Sequence, residues 1–375
     1  VNLKRRRFNK WFLFLAILLC GGGAALYFKE DSISLAKERL TAKGFSIRPA
    51  TRSDLIDDSL LSLKSYLKME EIRVSQTEWY KEKEILEVTA ELNALAPFIE
   101  YLSCGLTKVR DRDALVIGKM HSLRHLQIYG PDLTDKGVSA LSDLKDLERL
   151  ELYAPQATDE GLNWLHRCTQ LSWLFLSDAK LGTSTLQQFA NHQELFRIDI
   201  QGTNVKSTDL QYLTQLPRLH MLELNGTFLD EEAAPYLRQM KSLGTLYLNE
   251  TEVGDQVCQA LASLPKLNSL MLNDTQITDQ GVQTLLAGCP ELKRLSIRNC
   301  HISGKAFFAV KFWPVKLESL DVTGTNLTGE EMLILLKDHE TLESIYMTPK
   351  DCDPEIAKQI HSIREARHHR SLYGR

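Results

Sequence analysis

Leucine and other apolar residues recur along most of this chain at a fixed spacing, in the pattern L-x-x-L-x-L-x-x-x-x-L. Aligned on it, units begin at Ile99, Leu123, Leu147, Leu171, Leu195, Leu219, Leu243, Leu267, Leu292, Leu317 and Leu342, with a step of 24 residues seven times and then 25 three times. The fourth position is Leu or Ile in every unit, from Leu102 to Ile345, and the sixth and eleventh are apolar throughout. Positions one, four and six put the inward residues of a short strand on the core side, whereas positions sixteen, nineteen and twenty-two return at helical spacing, as in Val138, Leu141 and Leu144. Each unit is therefore predicted to be a strand followed by a helix, stacked on its neighbours over one continuous core.

The ninth position reads Thr107, Pro131, Pro155, Ala179, Thr203, Thr227, Thr251, Thr275, Cys300, Thr325 and Lys350. With the period of 24, this column resembles the leucine-rich-repeat family, in its ribonuclease-inhibitor-like and cysteine-containing branches, over residues 99 to about 366. The resemblance implies an α/β solenoid, a horseshoe of about eleven strand-helix units of 24 to 25 residues. It also implies that a hydrogen-bonding side chain at the ninth position ties neighbouring turns together. Pro131, Pro155 and Ala179 depart from that pattern, which puts the backbone bonding of their turns in question. The recurring segments around Thr134-Asp135, Thr158-Asp159 and Thr278-Asp279 stand where helices begin, and their threonines are expected to cap exposed amides.

The rest of the chain is predicted to divide into a basic cytoplasmic segment (1–10), a transmembrane helix (11–28), a stalk and helical N-terminal cap (29–98), the solenoid (99–366) and a basic tail (367–375). The uncharged run from Trp11 to Phe28 follows Lys4, Arg5, Arg6, Arg7 and Lys10; as a helix rising ~1.5 Å per residue it spans about 27 Å, near the ~30 Å of a bilayer core. The positive-inside rule then sends the solenoid to the extracytoplasmic side of the cytoplasmic membrane, periplasmic or extracellular, as a single-pass, bacterial-type protein. A cleaved signal peptide ending near Gly23 and Ala25 competes with that reading, and lipidation at Cys20 is a weaker alternative. In the cap region, helices are expected over Asp54 to Lys68 and from about Glu78 to Leu95, the second covering the first repeat, with Pro354 to Arg364 closing the other end.

A formal net charge of −4 lacks the concentrated basic character of nucleic-acid binders, which sets nucleic acid aside. Cys104, Cys168, Cys258, Cys289 and Cys352 fall on inward columns and Cys300 on the ninth, never as the same column of adjacent turns, so packed thiols are expected rather than disulfides. His121 and His125 do not share a helical face, and no metal or other cofactor is expected. Serine-elbow, phosphate-loop and paired CxxC signatures are missing, so no enzyme is expected. Asn225, Asn249 and Asn273 are sequons at the seventh position of consecutive units, where adjacent strands leave little room for glycans; a polar ladder is the better account.

Positions three, five and seven point away from the core, onto the concave face that is the usual partner surface of the family. There Tyr129, Arg149, Tyr153, Trp173, Phe175, Arg197, Met221, Glu223 and Tyr247 gather aromatic rings with alternating charge, the composition of interface hot spots. Against this stands the plainer account that large residues on a sheet face shield the backbone or rest on each other. The expectation is a membrane-anchored module that recognises a protein through this face, with cell-wall glycan binding on Trp173 and Phe175, and an intracellular scaffold or enzyme inhibitor, as alternatives.

Overall fold

The computed structural model describes residues 30–42, 45–49, 72–76, 92–93, 95–310, 313–314, 316–339, 341–346 and 353–373. Among them, the strands form one sheet in chain order: β1 (Phe45–Pro49), β2 (Ile72–Gln76), β3 (Ile99–Lys108), β4 (His125–Tyr129), β5 (Arg149–Tyr153), β6 (Trp173–Phe175), β7 (Arg197–Asp199), β8 (Met221–Glu223), β9 (Thr245–Tyr247), β10 (Ser269–Met271), β11 (Arg294–Ser296), β12 (Ser319–Asp321) and β13 (Ser344–Tyr346). β1 and β2 are antiparallel and every later pair is parallel. Short helices or 3-10 turns return the chain behind the sheet, among them Asp111–Ile117, Thr183–Phe189, Asp255–Leu261, Asp279–Gly288 and Gly329–Asp338.

Registers between parallel strands repeat the sequence columns. Leu150 lies beside Leu126 and Leu174, and Leu222 beside Ile198 and Leu246. These residues and their counterparts at positions one, six and eleven are buried between sheet and helices, as are Val138, Leu141 and Leu144 on the helical side. Full burial of each such side chain stabilises by about 1.5–3 kcal/mol, but half of its cover comes from the next unit, so the gain is collected only by stacking.

The turn after each strand is where units differ. From the unit beginning at Leu171 onward, strands are three residues long, and as far as the unit beginning at Leu317 the eighth position adopts a left-handed backbone: Asp178, Gly202, Gly226, Glu250, Asp274, Asn299 and Gly324 have φ between 56° and 76°. The ninth-position threonines close this turn on their own unit, Thr203 donating to the Ile200 carbonyl at 2.6 Å, Thr227 to Leu224 at 2.6 Å and Thr251 to Leu248 at 2.6 Å. The expected tie between turns is instead supplied two columns away, at the seventh position. Asn225 Oδ1 accepts from the Asn249 amide and Asn249 Oδ1 from the Asn273 amide, both at 2.9 Å, and Asn273 Oδ1 from the Arg298 amide at 2.8 Å. Where proline holds the ninth position, at Pro131 and Pro155, the strand runs on to five residues; proline has no amide hydrogen and fixes φ, which suits an extended continuation.

A second ladder joins the helix starts. Asp135 accepts the Thr158 amide and hydroxyl, both at 2.7 Å; Asp111 does the same for Thr134 at 2.9 and 2.6 Å, and Asp255 for Thr278 at 2.9 and 2.6 Å. Thr158 and Thr278 also cap their own helices, accepting from Glu160 and Gln280 amides at 3.3 and 3.2 Å, whereas Thr134 makes no such cap. The glycine three residues after each threonine is explained by the same contact: a Cβ at Gly137, Gly161 or Gly281 would overlap the aspartate of the preceding unit.

Several expectations change at the ends. The transmembrane helix over 11–28 lies outside the described residues, and among those described no helix is long and apolar enough to cross a membrane. The membrane anchor, and with it the single-pass extracytoplasmic placement and the membrane as partner, is therefore withdrawn from the description of this fold. The expected helix over Asp54 to Lys68 also lies outside the described residues, as does most of that from Glu78 to Leu95, of which the described Leu92 and Leu95 are buried. β1 and β2 extend the sheet before the first repeat, an extension the repeat pattern does not contain. At the other end the closing helix runs from Pro354 to Tyr373, through the stretch expected as a tail. Its Arg367 donates to the carbonyls of Leu342 at 2.7 Å, His339 at 3.1 Å and Leu336, the open end of helix Gly329–Asp338.

Two stability predictions follow the ladders. Asp135→Ala leaves a partly buried amide and hydroxyl of Thr158 without their acceptor and is expected to lower unfolding stability by about 1–3 kcal/mol, with Gly161→Ala also destabilising; urea titration of each checks this, and unchanged midpoints would refute the latch. Arg367→Ala, which frees three carbonyls at a helix C-terminus, is expected to expose the final repeat first, read as faster amide exchange in Gly329–Asp338 than in Thr183–Phe189.

Candidate binding face of the sheet

Because the fourth residue of each unit turns inward, its two neighbours turn outward together. Leu174 is fully buried while Trp173 and Phe175 stand half-buried on the open side of the sheet, their ring centroids 6.2 Å apart. The strands on either side contribute one arginine each at the same height, Arg149 from β5 and Arg197 from β7. The Arg149 guanidinium lies 4.3 Å from the Trp173 ring centre and 5.5 Å from that of Phe175; Arg197 lies 4.6 Å from Phe175 and 5.6 Å from Trp173. Such cation–π contacts are worth about 0.5–1 kcal/mol each when exposed and ~2 kcal/mol when desolvated.

Carboxylates hold both guanidiniums in place. Arg149 Nε donates to Glu151 at 2.6 Å, and Arg197 Nη2 donates to Glu223 at 2.6 Å. Glu151 also accepts from Gln127 Nε2 at 2.7 Å, and Gln127 Oε1 from the Ser103 hydroxyl at 2.5 Å, so a polar chain crosses from β3 to the ring pair. Farther along β4 and β5, Tyr129 and Tyr153 stack with centroids 5.1 Å apart and planes 14° from parallel.

Of the nine residues expected on this face, the structure joins Arg149, Trp173, Phe175, Arg197 and Glu223 into one cluster and sets Tyr129 and Tyr153 beside it as a separate stacked pair. Met221 and Tyr247 continue the face in register, next to Arg197 and Glu223 respectively. The two rings expected as a sugar-stacking platform, Trp173 and Phe175, each carry a guanidinium. Sequence reasoning passed over Asp199 and the polar frame of Ser103, Gln127 and Glu151, although the fifth column contains all four; only strand register shows which of them stand side by side. It also passed over the second column, where Phe196, 42 % exposed, stacks on His220 at 5.1 Å beside a shallow groove with Arg218 and Lys266.

Asp199 and Glu223 are register partners on β7 and β8 and are only 6 % and 7 % exposed. Burial pushes the Asp199 carboxyl above its ordinary range, against the hydrogen bonds from the Gln201 amide and the Ser177 hydroxyl. Burial and the neighbouring Asp199 charge push Glu223 up as well, with Arg197 opposing.

Among the described residues the thiols are buried. Cys104, Cys168 and Cys289 are buried and pushed up to about 12 by desolvation, and Cys258 and Cys300 are raised in the same way. Among the described residues no group of three or more His, Cys, Asp or Glu side chains is gathered to hold a metal ion.

A raised carboxyl contributes stability below its unfolded pKa and loses it as pH rises through the folded value, so ionised Asp199 weakens the fold at neutral pH. Asp199→Asn keeps an acceptor for Ser177 and is expected to raise Tm at pH 7, with the gain shrinking as pH falls into the carboxylate range. A Tm difference that is independent of pH would contradict it.

A family model described as "FBD-associated F-box protein At5g56370, LRR repeats" matches residues 219–355, less than half of the chain. A comparison with curated proteins finds no match. Among solved structures, an internalin of Listeria monocytogenes is similar at a TM-score of 0.56 and 19% identity, over 88% of this chain and 92% of that one. Internalin C2 of the same organism (TM-score 0.43, 20% identity, 56% and 83%) and the Arabidopsis receptor kinase HAESA (TM-score 0.45, 17% identity, 68% and 46%) are more distant in shape, and nothing is argued from them. These matches narrow the expectation of ribonuclease-inhibitor-like repeats in a membrane-anchored, bacterial-type protein to the repeat architecture alone. With its single sheet of parallel repeat strands backed by short helices, and its likeness in shape to the internalin, the solenoid has the fold of a leucine-rich repeat.

Proposed function

We propose that this chain recognises another protein through the open sheet face centred on Trp173 and Phe175. The observation that carries the reading is the clasp itself: two rings held between two guanidiniums, each fixed by a carboxylate. Long side chains lose about 0.5–1.5 kcal/mol of rotamer freedom when an interface immobilises them. Here that ordering is complete before a partner arrives. Half-buried Trp, Tyr and Arg in such an arrangement are the residue types that dominate binding energy at interfaces. The fold supports the reading, since stacked strands supply a broad preformed surface for a macromolecule rather than an enclosed pocket for a small one. Membrane anchoring and wall-glycan binding form no part of this proposal.

Site-specific photo-crosslinking checks it. Benzoylphenylalanine at Tyr129, which is 38 % exposed beside the cluster, is expected to capture a protein in the cells that make this chain. The same group at Leu115, on the helical side, is expected to capture none. Trp173→Ala should reduce the Tyr129 adduct by at least about tenfold. Capture from Leu115 alone, or a Tyr129 adduct indifferent to Trp173→Ala, would overturn the assignment.

A further inference from the structure

The residues that flank the first column of each unit lie along the edge where the strands begin, and toward either end of the stack they pair by charge. Arg124 meets Glu148 at 2.5 Å and Glu100 at 3.9 Å; Lys293 meets Glu318 at 3.7 Å and Lys316 meets Glu291 at 2.6 Å. In the middle this alternation breaks off, and the second column reads Ser172, Phe196, His220 and Gly244. Phe196 and His220 stack there with their planes 19° from parallel. Gly244 leaves room for the imidazole, since a Cβ on it would stand 2.1 Å from His220 Cε1. The result is a flat aromatic shelf whose outer ring, Phe196, stays 42 % exposed.

Beside the shelf opens a groove of about 450 Å³, bordered by Arg218 and Lys266. Its two cations are not equivalent. Arg218 is neutralised by Glu194, one repeat earlier. Lys266 has Ser242 one repeat before it and Glu291 one repeat after it, and Glu291 is already held by Lys316. Among the described residues Lys266 forms no ion pair, so the place of its counter-charge is vacant next to an exposed ring.

We infer that this edge seats an acidic segment of a partner protein, with an apolar side chain laid on the Phe196–His220 shelf and a carboxylate at Lys266. Ring and ammonium border the same groove, so one short segment meets both. The carboxylates of Glu148, Glu194, Glu291 and Glu318 along the same edge oppose a polyanion such as a lipid surface or a nucleic-acid backbone, because like charges brought together suppress the wrong partner. A peptide that carries one or two carboxylates avoids that repulsion. This is a second contact surface, and none of its residues belongs to the Trp173 cluster.

Fluorescence anisotropy at low salt, with the full chain and three labelled peptides of equal length, provides the test. The peptides alternate leucine with glutamate, glycine with glutamate, and leucine with lysine. The leucine–glutamate peptide is expected to bind, the glycine–glutamate peptide to bind more weakly and the leucine–lysine peptide not at all. Lys266→Glu and Phe196→Ser should each weaken leucine–glutamate binding by about tenfold. Lys136→Glu, the same change of charge at an exposed helix start behind the sheet, should leave it unchanged. Thermal unfolding of each variant confirms that it is folded. Absence of leucine–glutamate binding, equal binding of the three peptides, undiminished binding by Lys266→Glu or Phe196→Ser, or equal loss with Lys136→Glu would overturn the inference. So would Lys266-dependent binding of phosphatidylserine vesicles or of a single-stranded oligonucleotide without binding of the peptide. Trp173-dependent crosslinking from Tyr129 reports on the open face separately, so the two readings fail independently.

Discussion

A single turn of this chain cannot cover its own leucines. Leu147, Leu150 and Leu152 are sealed only when the units beginning at Leu123 and Leu171 stack on either side in register, and the same holds down the sheet. Register is therefore the constraint on which everything else depends: a slip of one residue would turn the inward column to solvent. Two polar ladders hold it. The Asn225, Asn249 and Asn273 side chains join successive turns after the strands, and Asp111, Asp135 and Asp255 join successive helix starts. Both satisfy backbone amides that the stacked core would otherwise strand away from water.

The same register composes the outer face. Residues 24 positions apart in the chain become neighbours, so a tryptophan and phenylalanine on β6 meet an arginine from β5 and another from β7. No contact within one unit predicts this cluster, and no loop is needed to build it. Rigid strands hold it, which is why its side chains are ordered before any partner is bound.

Placing Asp199 beside Glu223 runs against fold stability. Two buried carboxylates with one guanidinium between them are both pushed toward their neutral forms, and a neutral or apolar pair in the same place would stabilise the native state.

The period, the strand-helix alternation, the inward columns, the packed thiols and the outward position of the nine candidate residues are all legible in the sequence, because each depends only on spacing within a unit. The asparagine ladder is legible for the same reason. What the tertiary structure decided depends on relations between units. The threonine of the ninth column closes its own turn, since a left-handed eighth residue brings its hydroxyl to the carbonyl three residues back. Gly161 is required by an aspartate in the preceding unit, which no local rule reveals. Arg367, outwardly part of a basic tail, is drawn into the last helix by the carbonyls that end the stack. Spacing along the chain determines which face a side chain takes; only the stacking of turns determines which side chains share that face at contact distance, because their partners are a full repeat away in sequence.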